Sequence, residues 1–181
     1  EIKKIADKKN IYLMEDNCES LGAKIKNKFT GTFGIVNTFS FFYSHHISTI
    51  EGGMVLTNDP EIRELLLSLR SHGWTRDAVN KKLLNINNVK NKFENYDFIL
   101  PGYNVRSTEI NAAAGISQLK KLDRFTKIRR KNFKIYQKVF SDNKIFSIQK
   151  ENGESSAFSF VFIFKKDFLH LKQKIFKTLD D

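Results

Sequence analysis

The sequence predicts an α/β protein, and three stretches predict it. Residues 38–53 read Thr-Phe-Ser-Phe-Phe-Tyr-Ser-His-His-Ile-Ser-Thr-Ile-Glu-Gly-Gly, an aromatic, β-prone run (Phe39, Phe41, Phe42, Tyr43) that stops abruptly at small and polar residues. A short apolar segment, residues 11–14, follows a helical pattern in residues 1–10 and ends in Glu15-Asp16. Asn58-Asp59-Pro60-Glu61 then opens a run with apolar residues at helical spacing. Strands alternating with helices pack as a sheet with helices against it. Sheets of that kind bind ligands where their strands stop at polar turns.

Composition narrows the function classes. The chain has 181 residues, enough for a domain with its own core. Its apolar runs are far shorter than the roughly 20 residues of a membrane helix, and no signal segment opens it. One cysteine, Cys18, excludes an internal disulfide framework and most zinc motifs, which fits a reducing cytoplasm. The net charge of +11 admits nucleic-acid binding or a lysine coat on solvated helices. Basic residues cluster in 120–134 and 165–177 with an aspartate in each and no nucleic-acid motif, so no nucleic-acid partner is expected. A basic surface also concentrates an anionic small-molecule substrate. The first residue is Glu1, not Met, and a fragment lacking flanking parts of its fold is expected.

In order, residues 1–10 read as the last turns of an amphipathic helix with Ile2 and Ile5 on one face. Residues 11–14 read as a short buried strand that delivers Glu15-Asp16 to its carboxyl end. Cys18 reads as a small buried residue, since nothing identifies a base for it. Residues 36–42 form the next strand, and 54–57 another. Pro60 in the first turn and Glu61 near the start mark a helix with Ile62, Leu65, Leu66 and Leu69 on its apolar face, stopped at Gly73. Residues 77–96 are polar and weakly patterned, a surface excursion. Residues 108–140 are one long helix or two abutting ones, in which Ala112, Ala113, Ala114 and Gly115 permit close packing. Residues 158–164 are a long apolar strand, and residues 165–181 start a helix.

Several of these stretches resemble the DegT/DnrJ/EryC1/StrS sugar aminotransferase family. Phe39-Ser40-Phe41, His45 five residues after the serine, and Glu51-Gly52-Gly53 resemble the segment where most members carry a cofactor lysine. Glu15-Asp16-Asn17-Cys18-Glu19-Ser20-Leu21-Gly22-Ala23 resembles the family's Glu-Asp-x-x-Gln-x-x-Gly-Ala, and Pro101-Gly102-Tyr103-Asn104-Val105-Arg106 its Gly-Tyr-Asn-x-Arg. The resemblance covers residues 2–140. It implies part of the large domain of an aspartate-aminotransferase-like, fold type I protein, with a mostly parallel sheet flanked by helices. Residues 1–140 would then be a partial large domain with its following helices, and residues 141–181 the start of a small C-terminal α/β domain.

The same resemblance implies pyridoxal phosphate (PLP), alternating with pyridoxamine phosphate (PMP). Asp16 would face the pyridine nitrogen, Glu19 would replace the usual glutamine beside the ring, and Ser40 would bond the phosphate. Asn104 would reach a neighbouring protomer's phosphate, which implies a homodimer. Where the family lysine stands, this chain has His45, and no lysine occurs between Lys28 and Lys81. Imidazole cannot replace a primary amine in a covalent link to PLP. It can move a proton near neutral pH. Members with histidine there are deoxysugar dehydratases, so the implied activity is a nucleotide-sugar 3-dehydratase of the GDP-4-keto-6-deoxymannose type, with glutamate as amino donor. The absence of cysteines from the 77–96 excursion argues against an iron–sulfur cluster. His72 and Arg76 lie near the family's Arg-x-x-Gly and are candidate substrate contacts. Adjacent His45 and His46 have no third partner that suggests a metal. The alternatives are a sugar aminotransferase of the same family and a non-catalytic homologue.

Overall fold

The computed structural model describes residues 1–84 and 96–180. Helix α1 (Ile2–Lys9) ends at Asn10, whose left-handed backbone (φ 53°) turns its N–H back to the Ala6 and Asp7 carbonyls. Only Ala6 of this helix is buried; Ile2 and Ile5, expected on its inner face, are exposed. Strand β1 is Met14–Asp16, later in the chain than the apolar run suggested, and Ile11, Tyr12 and Met14 are exposed rather than buried. The reason is local. Ahead of Met14 the ladder gains one bond, from Ile35 N–H to the Leu13 carbonyl, and β4 is the sole neighbour of β1 among the described strands.

Strands β2 (Lys24–Ile25) and β3 (Lys28–Phe29) form a tight hairpin. Lys26 and Asn27 both take positive φ (51° and 64°), the twist that a two-residue hairpin requires. Strands β4 (Val36–Ser40) and β5 (Gly53–Leu56) complete a sheet of order β1-β4-β5. Of the mostly parallel sheet expected, the described residues supply one parallel ladder (β1 with β4) and one antiparallel ladder (β4 with β5). Asp16 lies opposite Thr38, and Ser40 opposite Gly53. Alternation therefore puts Asp16, Thr38 and Ser40 on one face and Glu15, Asn37 and Phe39 on the other.

Helix α2 (Pro60–Leu69) starts as its sequence dictates: the Asp59 carboxylate accepts from Glu61 N–H at 2.9 Å and Ile62 N–H at 3.0 Å. Its buried positions are Glu64 and Ser68, not the leucine row, and Leu65 is exposed. Glu64 is tolerated inside because one oxygen pairs with Arg63 and the other accepts Val79 N–H at 2.7 Å. Of the 77–96 excursion, residues 85–95 lie outside the described residues. Helices α3 (Glu109–Leu119) and α4 (Leu122–Phe140) abut, broken at Lys120 and Lys121.

Beyond α4, strands β6 (Phe146–Ile148) and β7 (Phe162–Phe164) pair antiparallel. The long strand expected over residues 158–164 thus shrinks to its last three residues. The phenylalanines gather here: Phe140 meets Phe162 at 4.8 Å and Phe133 meets Phe160 at 5.0 Å, both edge to face. Helix α5 (Lys172–Asp180) follows a 3₁₀ turn, Lys166–Leu171. The chain exposes 14114 Å², against about 9,000 Å² for a compact protein of its mass, so its sheet and helix faces are only thinly covered.

Candidate functional site

Two adjacent carboxylates leave β1 in opposite directions. Glu15 turns to the loop before β4. Its Oε2 accepts Gly31 N–H at 2.9 Å, and its Oε1 accepts Phe33 N–H at 2.6 Å and Gly34 N–H at 2.7 Å. It is an anchor for the Gly31-Thr32-Phe33-Gly34 turn. Asp16, on the other face, is exposed to solvent and accepts Cys18 N–H at 3.1 Å and Thr38 Oγ1–H at 3.4 Å. The Cys18 thiol and N–H hold the Asp16 carboxyl below the usual carboxylate range, helped by Thr38 and by the His45 ring nearby, against a small opposing effect of burial. Asp16 therefore stays an ionised acceptor. Burial and then the Asp16 carboxylate push the Cys18 thiol up, away from nucleophile character. Glu19 lies exposed on the turn that follows, and Ser40, at the end of β4, accepts Phe42 N–H at 3.2 Å.

His45 sits on the turn between β4 and β5. The turn is closed by Phe41 N–H to the Gly52 carbonyl (2.9 Å), Thr49 N–H to the Phe41 carbonyl (2.8 Å) and His45 N–H to the Phe42 carbonyl (3.0 Å). Ile50 takes φ 73°, a costly backbone for a β-branched residue, so the turn is held under strain. What holds it is Asn111 on α3, whose amide donates to the Thr49 carbonyl at 2.6 Å and the Glu51 carbonyl at 2.7 Å. Gly115, one turn further on, makes the approach possible: a Cβ there would come within 2.9 Å of Thr49 Cγ2. The His45 ring lies against Phe42 and Phe158, and its Nδ1 is buried without a hydrogen-bond partner.

His72 and Asn104 come together at a second place, and Arg76 lies a few residues further on with partners of its own. The chain crosses itself at two glycines: Gly73 has φ 83°, and a Cβ on it would come within 1.7 Å of the Leu100 carbonyl oxygen. The crossing sets Ser71 opposite Asn104, with His72 N–H donating to the Tyr103 carbonyl at 2.8 Å. Arg76 lies over Trp74 at 4.0 Å and pairs with Asp77 at 3.2 Å. Arg76 and then Arg70 hold the Asp77 carboxyl below its ordinary range. A cavity of about 790 Å³ is lined by Thr38, Gly53, Val55, Leu66, Tyr103 and Val105, beside both groups; Asp16, His45, His72, Arg76 and Asn104 are not among its lining residues. Among the described residues, no three His, Cys, Asp or Glu side chains converge as a metal site. A carboxylate at the end of the 11–14 run can cap the next turn, which is the signal for the Glu15 anchor; composition and spacing gave no sign of Asn111 as a clamp or of Phe158 against the histidine, and only the small residues after Asn111 hinted at close packing.

The comparison with known proteins follows this geometry. The model of the DegT/DnrJ/EryC1/StrS aminotransferase family matches residues 1–181. This chain belongs to that family. Within it, the chain is 48% identical over 181 residues to the GDP-4-keto-6-deoxy-D-mannose 3-dehydratase of Escherichia coli O55:H7, covering 99% of this chain and 47% of that protein. A solved E. coli GDP-4-keto-6-deoxy-D-mannose-3-dehydratase with bound hydrated PLP superimposes with a TM-score of 0.90 at 48% identity, over 99% of this chain and 46% of that one. Another structure of a GDP-4-keto-6-deoxymannose-3-dehydratase, with a trapped PLP-glutamate geminal diamine, gives 0.90 at 47% identity, over 99% and 47%. The α/β fold of these family members is the fold of this chain. The chain spans about half the length of the curated relatives it matches.

Proposed function

We propose that the Asp16–His45 site serves a PLP/PMP-dependent nucleotide-sugar 3-dehydratase of the GDP-4-keto-6-deoxymannose type, with glutamate as amino donor, in the synthesis of deoxysugars for cell-surface polysaccharide. The observation that carries this reading is His45 itself. A proton-transferring imidazole, not an amine, stands on the turn after β4 within electrostatic reach of an ionised Asp16. The donor set fits the cofactor. Asp16 is an anionic acceptor for a protonated ring nitrogen, Ser40 offers a hydroxyl on the same sheet face, and Gly53 opposite Ser40 leaves that face without a side chain. The relatives' names, at close to half identity, support the same activity.

In this reading Asp16 holds the ring nitrogen, Glu19 lies beside the ring, and Ser40 binds the phosphate together with Asn104 of a second copy. When bound, the cofactor supplies an electron sink and carries the amine that glutamate donates. His45 accepts a proton at Nε2 and returns one to the departing sugar hydroxyl. His72 and Arg76 contact the sugar or its phosphates. Hydrolysis then yields ammonia and a 3-deoxy keto-sugar. The protein acts as a cytoplasmic homodimer, with residues 1–140 in its large domain and 141–181 opening the small one. Among the described residues no helix is long and apolar enough to cross a membrane.

The test is glutamate-dependent ammonia release from GDP-4-keto-6-deoxymannose by the PLP-loaded protein and by His45→Asn. Release by the unaltered protein, lost in His45→Asn, is expected. A stable amino-sugar product from the unaltered protein would overturn the reading in favour of a transaminase.

A further inference from the structure

His46 has no place in the chemistry above, yet it is the more deeply buried of the two adjacent histidines, with 3% of its surface exposed. Neither of its ring nitrogens closes a full hydrogen bond, although the Ser156 backbone lies close enough to favour the protonated ring weakly. A buried polar ring with one weak partner is costly, and an apolar residue of similar size would avoid most of the cost, so a histidine at this position calls for a reason. Its surroundings supply one. The ring lies against Phe158 with centroids 5.6 Å apart, and the same Phe158 lies against His45 at 5.4 Å. One aromatic ring thus touches both histidines.

Phe158 ends a strap, residues 154–158, that ties the site together. Lys24 N–H donates to the Glu154 carbonyl at 2.8 Å and Glu154 N–H returns to the Lys24 carbonyl at 2.7 Å, fixing the strap to β2 just beyond the Asp16 turn. From α4, Arg130 Nε donates to the Ser155 carbonyl at 2.8 Å and its Nη2 to the Gly22 carbonyl at 3.0 Å. Arg129 Nη1 donates to the Phe158 carbonyl at 3.1 Å. The strap therefore spans from the turn after Asp16 to the turn that bears His45, and α4 grips it at two points.

We propose that His46 is a positioning residue: locked with Phe158 against the 154–158 strap, it fixes the angle at which the His45 ring faces the Asp16 side of the site. The inference rests on His45 being the proton-transfer group. Geometry of this kind governs rate more than binding, because a small misplacement of a proton-transferring group slows the step while the substrate still binds. The charged groups facing His46 are Arg129 from α4 and His45 from its own turn, and the strap presents Ser156 and Phe158. Burial, and then the Arg129 cation, press the His46 ring down to about 4, so it stays neutral at working pH and places no second positive charge beside His45. A phenylalanine at 46 would share the packing but not the polar edge facing the Ser156 carbonyl; an asparagine would keep that edge and lose the ring.

The experiment has two arms. The first is a histidine-selective NMR titration of the unaltered protein, with resonances assigned by single His→Asn variants. The His46 signal should not move between about pH 5.5 and 8, as expected of a ring sealed under the strap. A His46 titration near that of free histidine would overturn the packing on which the proposal stands. The second arm measures ammonia release by the PLP-loaded protein for His46→Asn and Phe158→Leu beside His45→Asn. Both strap variants should lower kcat about 10–100-fold with the sugar KM within about threefold. Folded strap variants that keep wild-type kcat while His45→Asn is dead would sink the positioning role and leave the base intact. Activity retained by His45→Asn would instead sink the base, and the positioning claim with it. If His46→Asn fails to fold, Phe158→Leu and the NMR arm decide the question.

Discussion

Replacing Glu15 should destabilise the protein far more than a half-exposed carboxylate ordinarily would. The side chain accepts three backbone N–H groups, from Gly31, Phe33 and Gly34, at 2.6–2.9 Å. In Glu15→Gln, the amide oxygen can keep the Phe33 and Gly34 bonds, but an NH₂ then faces the Gly31 N–H, donor against donor. One bond to a charged acceptor is worth about 1.5–3 kcal/mol, and the two retained bonds lose their charge assistance. A cost of about 3 kcal/mol is expected for Glu15→Gln, and about 4 kcal/mol for Glu15→Ala, which loses all three acceptor contacts. Solvent reaches part of the site, so water recovers some of the loss in Glu15→Ala. Urea unfolding followed by far-UV circular dichroism measures both, as a fall in midpoint at unchanged slope. If both variants stay within about 0.5 kcal/mol of wild type, the anchor argument is wrong and the loop is held by its own turns.

The remaining expectations concern other parts of the scaffold. His46 is pressed from 6.5 down to about 4 in the fold, so the unfolded chain binds its proton more readily. Its contribution to stability is complete above about pH 6.5 and lost as pH falls toward 4, with about 2 kcal/mol gone by pH 5. Urea midpoints measured across that range should decline in wild type and decline less in His46→Phe. Asn111→Ala removes two donors from the His45 turn and should cost about 2 kcal/mol, with faster hydrogen exchange confined to residues 45–53; uniform exchange would refute the clamp. Gly73→Ala forces a Cβ onto the Leu100 carbonyl oxygen from a left-handed backbone and should cost about 3 kcal/mol or more, read from the melting temperature.

Local rules written in the chain account for much of what the structure contains. Asp59-Pro60-Glu61 starts α2 because a carboxylate cap, a proline without an N–H and an acid at the positive helix end all favour the same turn. Of the aromatic run, Phe39 lies in β4, while Phe41 and Phe42, expected to carry the strand to residue 42, belong with Tyr43 to the His45 turn, because the Gly52 carbonyl and Thr49 N–H bond Phe41 as a turn closure. The motifs at 15–23, 39–53 and 101–106 led to a family to which the whole chain belongs.

Tertiary structure decided what depends on partners distant in sequence. Strand β1 starts at Met14 because pairing with β4, not hydrophobicity, defines a strand edge. Glu15 and Asp16 are neighbours in sequence, but the pleat sends one to a structural turn and the other to the site face. Phe158 reads as the first residue of an apolar strand; in the fold it lies against two histidines more than a hundred residues earlier, because Arg129 and Arg130 bring the strap across. The sequence by itself determined the α/β class, the start of α2 and the family motif in which His45 stands. Which side chains face that histidine, and which histidine of the pair is sealed from solvent, were decided only by the packing of α3, α4 and the strap around one turn.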